Sequence, residues 1–290
     1  MTNEWVLTQS GGMKNFRFGL VSGFARTADE WTGLARQAER NGFSTLLMPD
    51  GAPMMATLPA LAAAATATTD LHVGSFVLAA PFRPVNQIVQ EAGTMALLTG
   101  DRFELGLGAG RPGAEADAEV FGLPYGTPRE RIERIGEVID ALAKPVDGLY
   151  GGTGTTPRVL VAGGGPRMLA FAAAKADTIA FGIPPLTDDA GLAERVRTVR
   201  DAAGERFDRL ELCGSVQVVG DDAPEWLAGR MGVSLADLRA AGSVVALSGT
   251  PRQMADVLER RRDELGISYV TVPSPFVETF APVVELLKGR

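Results

Sequence analysis

The side chains that ordinarily do chemistry are scarce in this chain. It has one histidine, His72, and one cysteine, Cys213, in 290 residues. A Ser-His-Asp triad would have a single imidazole to draw on, and no Cys/His cluster has zinc spacing, so no metal site is expected. One cysteine excludes an internal disulfide framework and fits a reducing, cytoplasmic setting. What remains are two glycine clusters and one carboxylate. Residues 158–177 read RVLVAGGGPRMLAFAAAKAD, with Gly163, Gly164 and Gly165 between a short apolar run and an Ala-rich helical segment. Bare N–H groups at such a junction, with a helix dipole behind them, suit a phosphate. Arg167 falls in the first helical turn, where the dipole disfavours a cation, and a bound anion would account for it. The alternative is a tight strand-to-helix turn in which the glycines serve packing alone.

The second cluster, Gly106-Leu-Gly108-Ala-Gly110-Arg-Pro-Gly113, contains G-x-G-x-x-G from Gly108 to Gly113. In a dinucleotide-binding unit that motif opens a helix directly, and an acid ends the next strand about 20 residues on. Here Pro112 interrupts the turn, and the acids at that distance, Glu130 and Glu133, lie on an amphipathic helix. A Rossmann site is therefore not expected, although glycines that bring backbone close to a ligand at a strand end still fit. Asp50, in MPDGAPM, ends an apolar run. It either orients a substrate or cofactor or caps the helix after Pro53. Met48, Met54 and Met55 read as core or pocket lining. His72 begins a strand and reads as structural, and Glu91, Arg102 and Glu104 read as a buried network or subunit contact. With no nucleophile or metal set in view, an enzyme of this sequence takes its reactive group from a cofactor.

The elements that must position these residues alternate in type. Buried strands are predicted at Phe16–Val21, Ser44–Met48, Leu71–Leu78, Phe103–Leu107, Val159–Val161, Thr178–Phe181, Leu210–Val219 and Ser268–Val272, each nearly continuous in apolar or β-branched residues. Helices are predicted over Thr27–Asn41, with the capping-box pair Thr27 and Glu30, and over Pro128–Ala143 and Pro251–Leu265, each opened by proline. About eight β-then-α units in sequence favour a (β/α)8 TIM barrel over a doubly wound sheet. Residues 109–127 and 221–249 break the rhythm after strands, which places them at the C-terminal face, where barrel active sites lie. Gly148–Thr156 reads as a mobile loop.

A net charge of −7 argues against a nucleic-acid partner. No apolar run is long enough to cross a membrane. Residues 1–14 lack signal-peptide features and read as a flexible extension, with Met13 an alternative start, before a single domain over residues 15–290.

The run LHVGSFVLAAPFRPVNQIVQEAGTMALLTGDRFELGLGAG (Leu71–Gly110) resembles the third-to-fourth-strand core of the luciferase-like flavin and deazaflavin oxidoreductases. GFSTLLMPDG, PRVLVAGGGPRMLAFAAAKAD and GTPRQMADVLERRRDELGISYVTV resemble further segments of that family in the right order, so the likeness runs from Phe16 onward. It implies a (β/α)8 barrel, a homodimer, a small-molecule substrate, and either coenzyme F-420 or FMN at the C-terminal face. By resemblance, Gly163, Gly164, Gly165, Pro166, Arg167 and Met168 form the loop that holds the cofactor phosphate, faced by Gly108, Ala109 and Gly110. Ser75, Phe76 and Val77 match a third-strand bulge under the cofactor ring, where members often carry a non-proline cis peptide. Asp50 matches a pocket-lining position and is the candidate catalytic group. Two departures stand out. Many relatives read Pro-Asp-His where this chain has Asp50-Gly51, and flavin-dependent luciferases carry a phosphate arginine where this chain has Ala109, leaving Arg111 or Arg167 to replace it. The glycine loops look closer to the deazaflavin branch, so the leading expectation is hydride transfer between an F-420-type cofactor and a small organic substrate. The alternatives are an FMN-dependent monooxygenase using molecular oxygen, and a barrel that lost its cofactor chemistry and acts as a binding protein.

Overall fold

The computed structural model describes residues 14–52, 54–111, 113–144, 156–221, 229 and 232–290. Its strands are β1 (Arg17–Val21), β2 (Thr45–Met48), β3 (His72–Ser75), β4 (Leu78–Ala79), β5 (Phe103–Gly108), β6 (Arg158–Gly163), β7 (Thr178–Phe181), β8 (Glu211–Ser215), β9 (Val218–Val219), β10 (Ala246–Leu247) and β11 (Ile267–Pro273). Among the described residues the helices are α1 (Ala28–Arg40), α2 (Thr57–Thr66), α3 (Val85–Thr99), α4 (Glu115–Val120), α5 (Pro128–Leu142), α6 (Pro166–Lys175), α7 (Asp189–Ala203), α8 (Leu235–Ala240), α9 (Pro251–Leu265) and α10 (Val277–Leu287). The expected mobile loop lies outside these residues except for Thr156, as do Pro53, Pro112 and residues 1–13.

The main sheet is parallel throughout, in the order β3-β2-β1-β11-β8-β7-β6-β5-β4, and a further β3–β5 pairing closes it. Because β3 and β4 share one strand position, the result is the eight-stranded (β/α)8 barrel expected from the alternating pattern. Two expected strands are interrupted. Leu71–Leu78 divides at a non-proline cis peptide between Phe76 and Val77. Leu210–Val219 divides after Ser215, and its tail pairs outside the barrel, Val218 with Ala246 and Val219 with Leu247. Two-residue strands are too short to show a period in sequence.

Helix starts follow the capping chemistry. Thr127 with Glu130 and Thr250 with Gln253 form complete capping boxes ahead of Pro128 and Pro251. At α1 only half of the expected box forms: Thr27 Oγ1 accepts from Glu30 N, but the Glu30 carboxylate accepts from Arg26 N at 2.8 Å instead.

Strand alternation divides the core. Outward residues such as Phe18, Leu20, Leu46, Val73, Leu105, Leu107 and Val161 meet the helices in one apolar layer. Inward residues Leu47, Leu160, Ala180, Cys213 and Tyr269 form a second cluster inside the barrel. The N-terminal floor of the barrel is ionic. Arg17 donates to Glu211 Oε2 at 2.8 Å and to Glu104, and its guanidinium lies 4.4 Å from the Tyr269 ring centre. His72 Nδ1 is 3.6 Å from Glu104, which agrees with a structural role at this face. Glu91, Arg102 and Glu104 do not form one network. Glu104 turns inward to Arg17, Arg102 donates to the Leu71, Ala65 and Thr99 carbonyls, and Glu91 accepts from Gln87. Glu91 lies on α3 and Arg102 just ahead of β5, whereas Glu104 is inside the strand, so the three are carried to different partners.

Candidate functional site at the C-terminal mouth

The site begins where β5 admits the bulge beside it. The buried Ser75 hydroxyl donates to Gly106 O at 2.8 Å and accepts from Gly106 N at 2.9 Å. A β-carbon on Gly106 would stand 2.0 Å from Ser75 O, and one on Gly108 would stand 2.5 Å from Val77 Cγ2. Both glycines are thus fixed by the close approach of β3 and its bulge. Ser75 therefore supports the bulge from below, whereas Phe76 and Val77 are half-buried and pack on the inner cluster of Leu47, Leu160, Cys213 and Tyr269. They roof the barrel interior and present a shelf to the mouth.

The glycine loop after β6 sorts residue by residue. A β-carbon on Gly163 would meet Met168 Cγ at 2.1 Å, and one on Gly164 would meet Gly182 O at 1.8 Å. Packing accounts for these two, and Met168 is itself buried. Gly165 differs: a β-carbon there would have open space, and its backbone is extended with φ −81° and ψ 150°. It is the N-cap of α6 with no side-chain cap, Pro166 contributes no N–H, and Gly165, Pro166 and Arg167 are all exposed. The first N–H groups of α6 consequently lack an intrahelical acceptor and point out of the helix start. The pairing of Gly108 with Ala162 brings this loop beside the end of β5.

The β5 loop is less open than its glycines suggest. Ala109 packs against the core, and a β-carbon on Gly110 would meet Tyr125 Oη at 2.4 Å. Arg111 pairs with the buried Asp117 of α4 at 2.8 Å, and Tyr125 Oη donates to Arg111 O at 3.1 Å. The Arg111 guanidinium is committed to α4, whereas Arg167 has no ion-pair partner among the described residues.

Asp50, the candidate catalytic group, is buried and heavily engaged. Arg83 donates to both its oxygens, Nη1 to Oδ2 at 2.5 Å and Nη2 to Oδ1 at 2.9 Å. Ala79 N donates to Oδ2 and Thr57 Oγ1 to Oδ1, both at 3.2 Å. Burial alone would lower the Arg83 pKa, but the Asp50 hydrogen bond and charge outweigh it and raise it. The alternative role as backbone cap is not seen, since Ala56 is the N-cap of α2 and has no side-chain cap. The Phe82 and Phe121 rings meet at a tilt of 35° with their centres 5.3 Å apart, beside this carboxylate's partner Arg83. Arg83, Tyr125 and Gly182 were not singled out from the sequence; their partners lie far away in the chain and no local spacing signals them. Among the described residues no group of three or more His, Cys, Asp or Glu could hold a metal ion. No helix there is long and apolar enough to cross a membrane.

The site thus sits on a parallel eight-stranded barrel with a cis-peptide bulge in its third strand and an uncapped glycine loop after β6. The chain belongs to the luciferase-like monooxygenase family, whose sequence profile matches residues 13–229. It is 30% identical over 133 residues to an uncharacterized protein of Mycobacterium tuberculosis, with 38% of this chain and 46% of that protein aligned. The match thus spans under half of that relative's length. Among solved structures, an F420-dependent secondary alcohol dehydrogenase in complex with an F420-acetone adduct superposes with TM-score 0.75 at 16% identity, covering 94% of this chain and 98% of the other. A riboflavin lyase with modified FMN and riboflavin superposes with TM-score 0.71 at 15% identity, covering 94% and 92%. At these identities the likeness is one of fold. One of these two solved neighbours holds an F420-acetone adduct and the other a modified FMN.

Proposed function

We propose that the chain is an oxidoreductase that holds an F-420-type deazaflavin at the C-terminal mouth and moves a hydride between it and a small organic substrate. The observation that carries this reading is the start of α6, where Gly165 leaves room that packing does not claim and Arg167 stands exposed beside unsatisfied amides. Such a donor set fits a phosphate. When bound, the deazaflavin supplies the ring carbon that takes or gives the hydride. The protein's own part is positional. Arg167 and the α6 amides would fix the phosphate, the Phe76–Val77 shelf would seat the ring, and Phe82 with Phe121 would keep water from one side of it. A cytoplasmic homodimer completes the reading, and the mass in solution tests the dimer.

The second reading is an FMN-dependent monooxygenase using reduced flavin and oxygen. It is supported by the fold shared with a protein solved with modified FMN. Titrating the purified chain with F-420 and with FMN separates the two. Tight binding of F-420 alone supports the first reading, and tight binding of FMN alone supports the second. Binding of neither leaves a barrel that lost cofactor chemistry and acts as a binding protein.

A further inference from the structure

We propose that Asp50 and Arg83 are positioning residues whose ion pair replaces a missing stretch of strand pairing and so holds the Phe76–Val77 shelf in place. The part of this that concerns the cofactor ring rests on the cofactor reading above. The ladder between β2 and β3 runs from Thr45–His72 to Met48–Ser75, and Phe76 N still donates to Met48 O at 2.7 Å. Beyond the cis bond the strand resumes as β4, which pairs with β5 through Leu78–Leu107 and Ala79–Gly108. On the β2 side, Asp50 takes over the acceptor's role: its Oδ2 receives the Ala79 N–H where a backbone carbonyl would ordinarily stand. The chain then turns through Ala80–Phe82, and the Arg83 side chain folds back to grip both oxygens of the same carboxylate. The bulge is thereby tied to β2 at both ends, by a main-chain bond before it and by a carboxylate after it.

The chemistry of the carboxylate supports positioning over proton transfer. An ionised aspartate offers about four lone-pair sites. Two here are occupied by Arg83 and one by Ala79 N, and the fourth faces the Thr57 hydroxyl, whose single proton is also within reach of Pro49 O at 3.3 Å. The acceptor sites of the carboxylate thus face donors of the protein itself, and the bidentate fork fixes its plane. Asp50 is therefore not a catalytic residue; it acts through the backbone of residues 76–79.

The test compares Asp50→Asn and Arg83→Lys with a control, Arg102→Gln, which removes a backbone clamp at the opposite end of the barrel. Dissociation constants and absorbance spectra are measured with F-420 and FMN, and amide hydrogen exchange over residues 76–79 is followed without cofactor. Positioning requires both site variants to weaken cofactor binding at least tenfold, to shift the bound spectrum and to speed exchange at 76–79, with the control doing none of these. Unchanged binding and exchange in Arg83→Lys overturns the proposal, even if Asp50→Asn abolishes binding, because Asp50 would then be touching the cofactor itself. If the unaltered chain binds neither cofactor, the functional reading fails separately. The clamp is then decided by exchange alone: faster exchange at 76–79 in Arg83→Lys than in the control supports it, and equal exchange refutes it.

Discussion

Gly164 lies against the carbonyl of Gly182, so close that a β-carbon would fall 1.8 Å from its oxygen, while a β-carbon on neighbouring Gly165 would meet no atom of the described residues within 4 Å. Two adjacent glycines of one motif are therefore glycine for different reasons. Gly164→Ala must push β6 and the end of β7 apart and is expected to cost about 3 kcal/mol or more in stability, as overpacking does. Gly165→Ala has a compatible backbone and open space, so its stability should change by no more than about 1 kcal/mol. It should nevertheless raise the cofactor dissociation constant at least tenfold, because the new methyl would occupy the phosphate's place. Denaturant melts and cofactor titrations on the two variants check both halves.

Arg167 and Arg111 should likewise separate. Arg167→Ala is expected to weaken cofactor binding by about 1.5–3 kcal/mol, the worth of a charged hydrogen bond. Its exposed position predicts a stability change within about 0.5 kcal/mol. Arg111→Ala removes the partner of buried Asp117, so its main effect should appear in the thermal melt. An unchanged dissociation constant in Arg167→Ala would remove this residue from the phosphate site.

Ser75 is expected to matter for stability more than for contact with ligand. Ser75→Ala leaves the buried Gly106 N–H and carbonyl without their partner, a loss of about 2 kcal/mol by denaturant unfolding. A fully stable Ser75→Ala variant would contradict the support assigned to this hydroxyl.

The ionic floor predicts a pH dependence. Burial alone would raise the Glu211 pKa, but Arg17, Arg158 and the Thr178 hydroxyl outweigh it and hold the carboxyl below its ordinary value. A carboxylate with a depressed folded pKa stabilises fully above the unfolded value of about 4.5 and loses that contribution as pH falls through the folded value. Glu211→Gln should therefore be about 3 kcal/mol less stable at neutral pH, the low end for breaking a buried pair because Arg17 keeps Glu104. The gap to the unaltered chain should narrow below pH 4.5. A gap constant from pH 7 to 3 would rule out this role for Glu211.

Much of the barrel was legible in sequence because strands buried on both faces read as apolar runs, and Pro128 and Pro251 mark helix starts beside Thr127 and Thr250. The glycine loops were visible as well, but not the division of labour within them. Gly164 is explained by Gly182, and Asp50 by Arg83, 33 residues further on. Such pairs exist only after strands have become neighbours, so no local spacing announces them. The cis bond was expected only through family resemblance, since nothing in the composition of Ser75–Leu78 requires it. Short elements such as β9, β10 and α8 carry too few residues for a period to emerge.

The close contacts at Gly106, Gly108, Gly163 and Gly164 bear on how this motif can age. In a descendant of this chain that stopped using any cofactor, the Ser75 and Gly182 carbonyl oxygens would still hold Gly106 and Gly164 to glycine, and Val77 and Met168 would hold Gly108 and Gly163 for as long as those side chains stay. Within the loop after β6, Gly165 and Arg167 would be released to drift. Under the proposed function, the trace of cofactor use within these two glycine motifs therefore lies in Gly165 and Arg167, and the more conspicuous glycines beside them record the architecture.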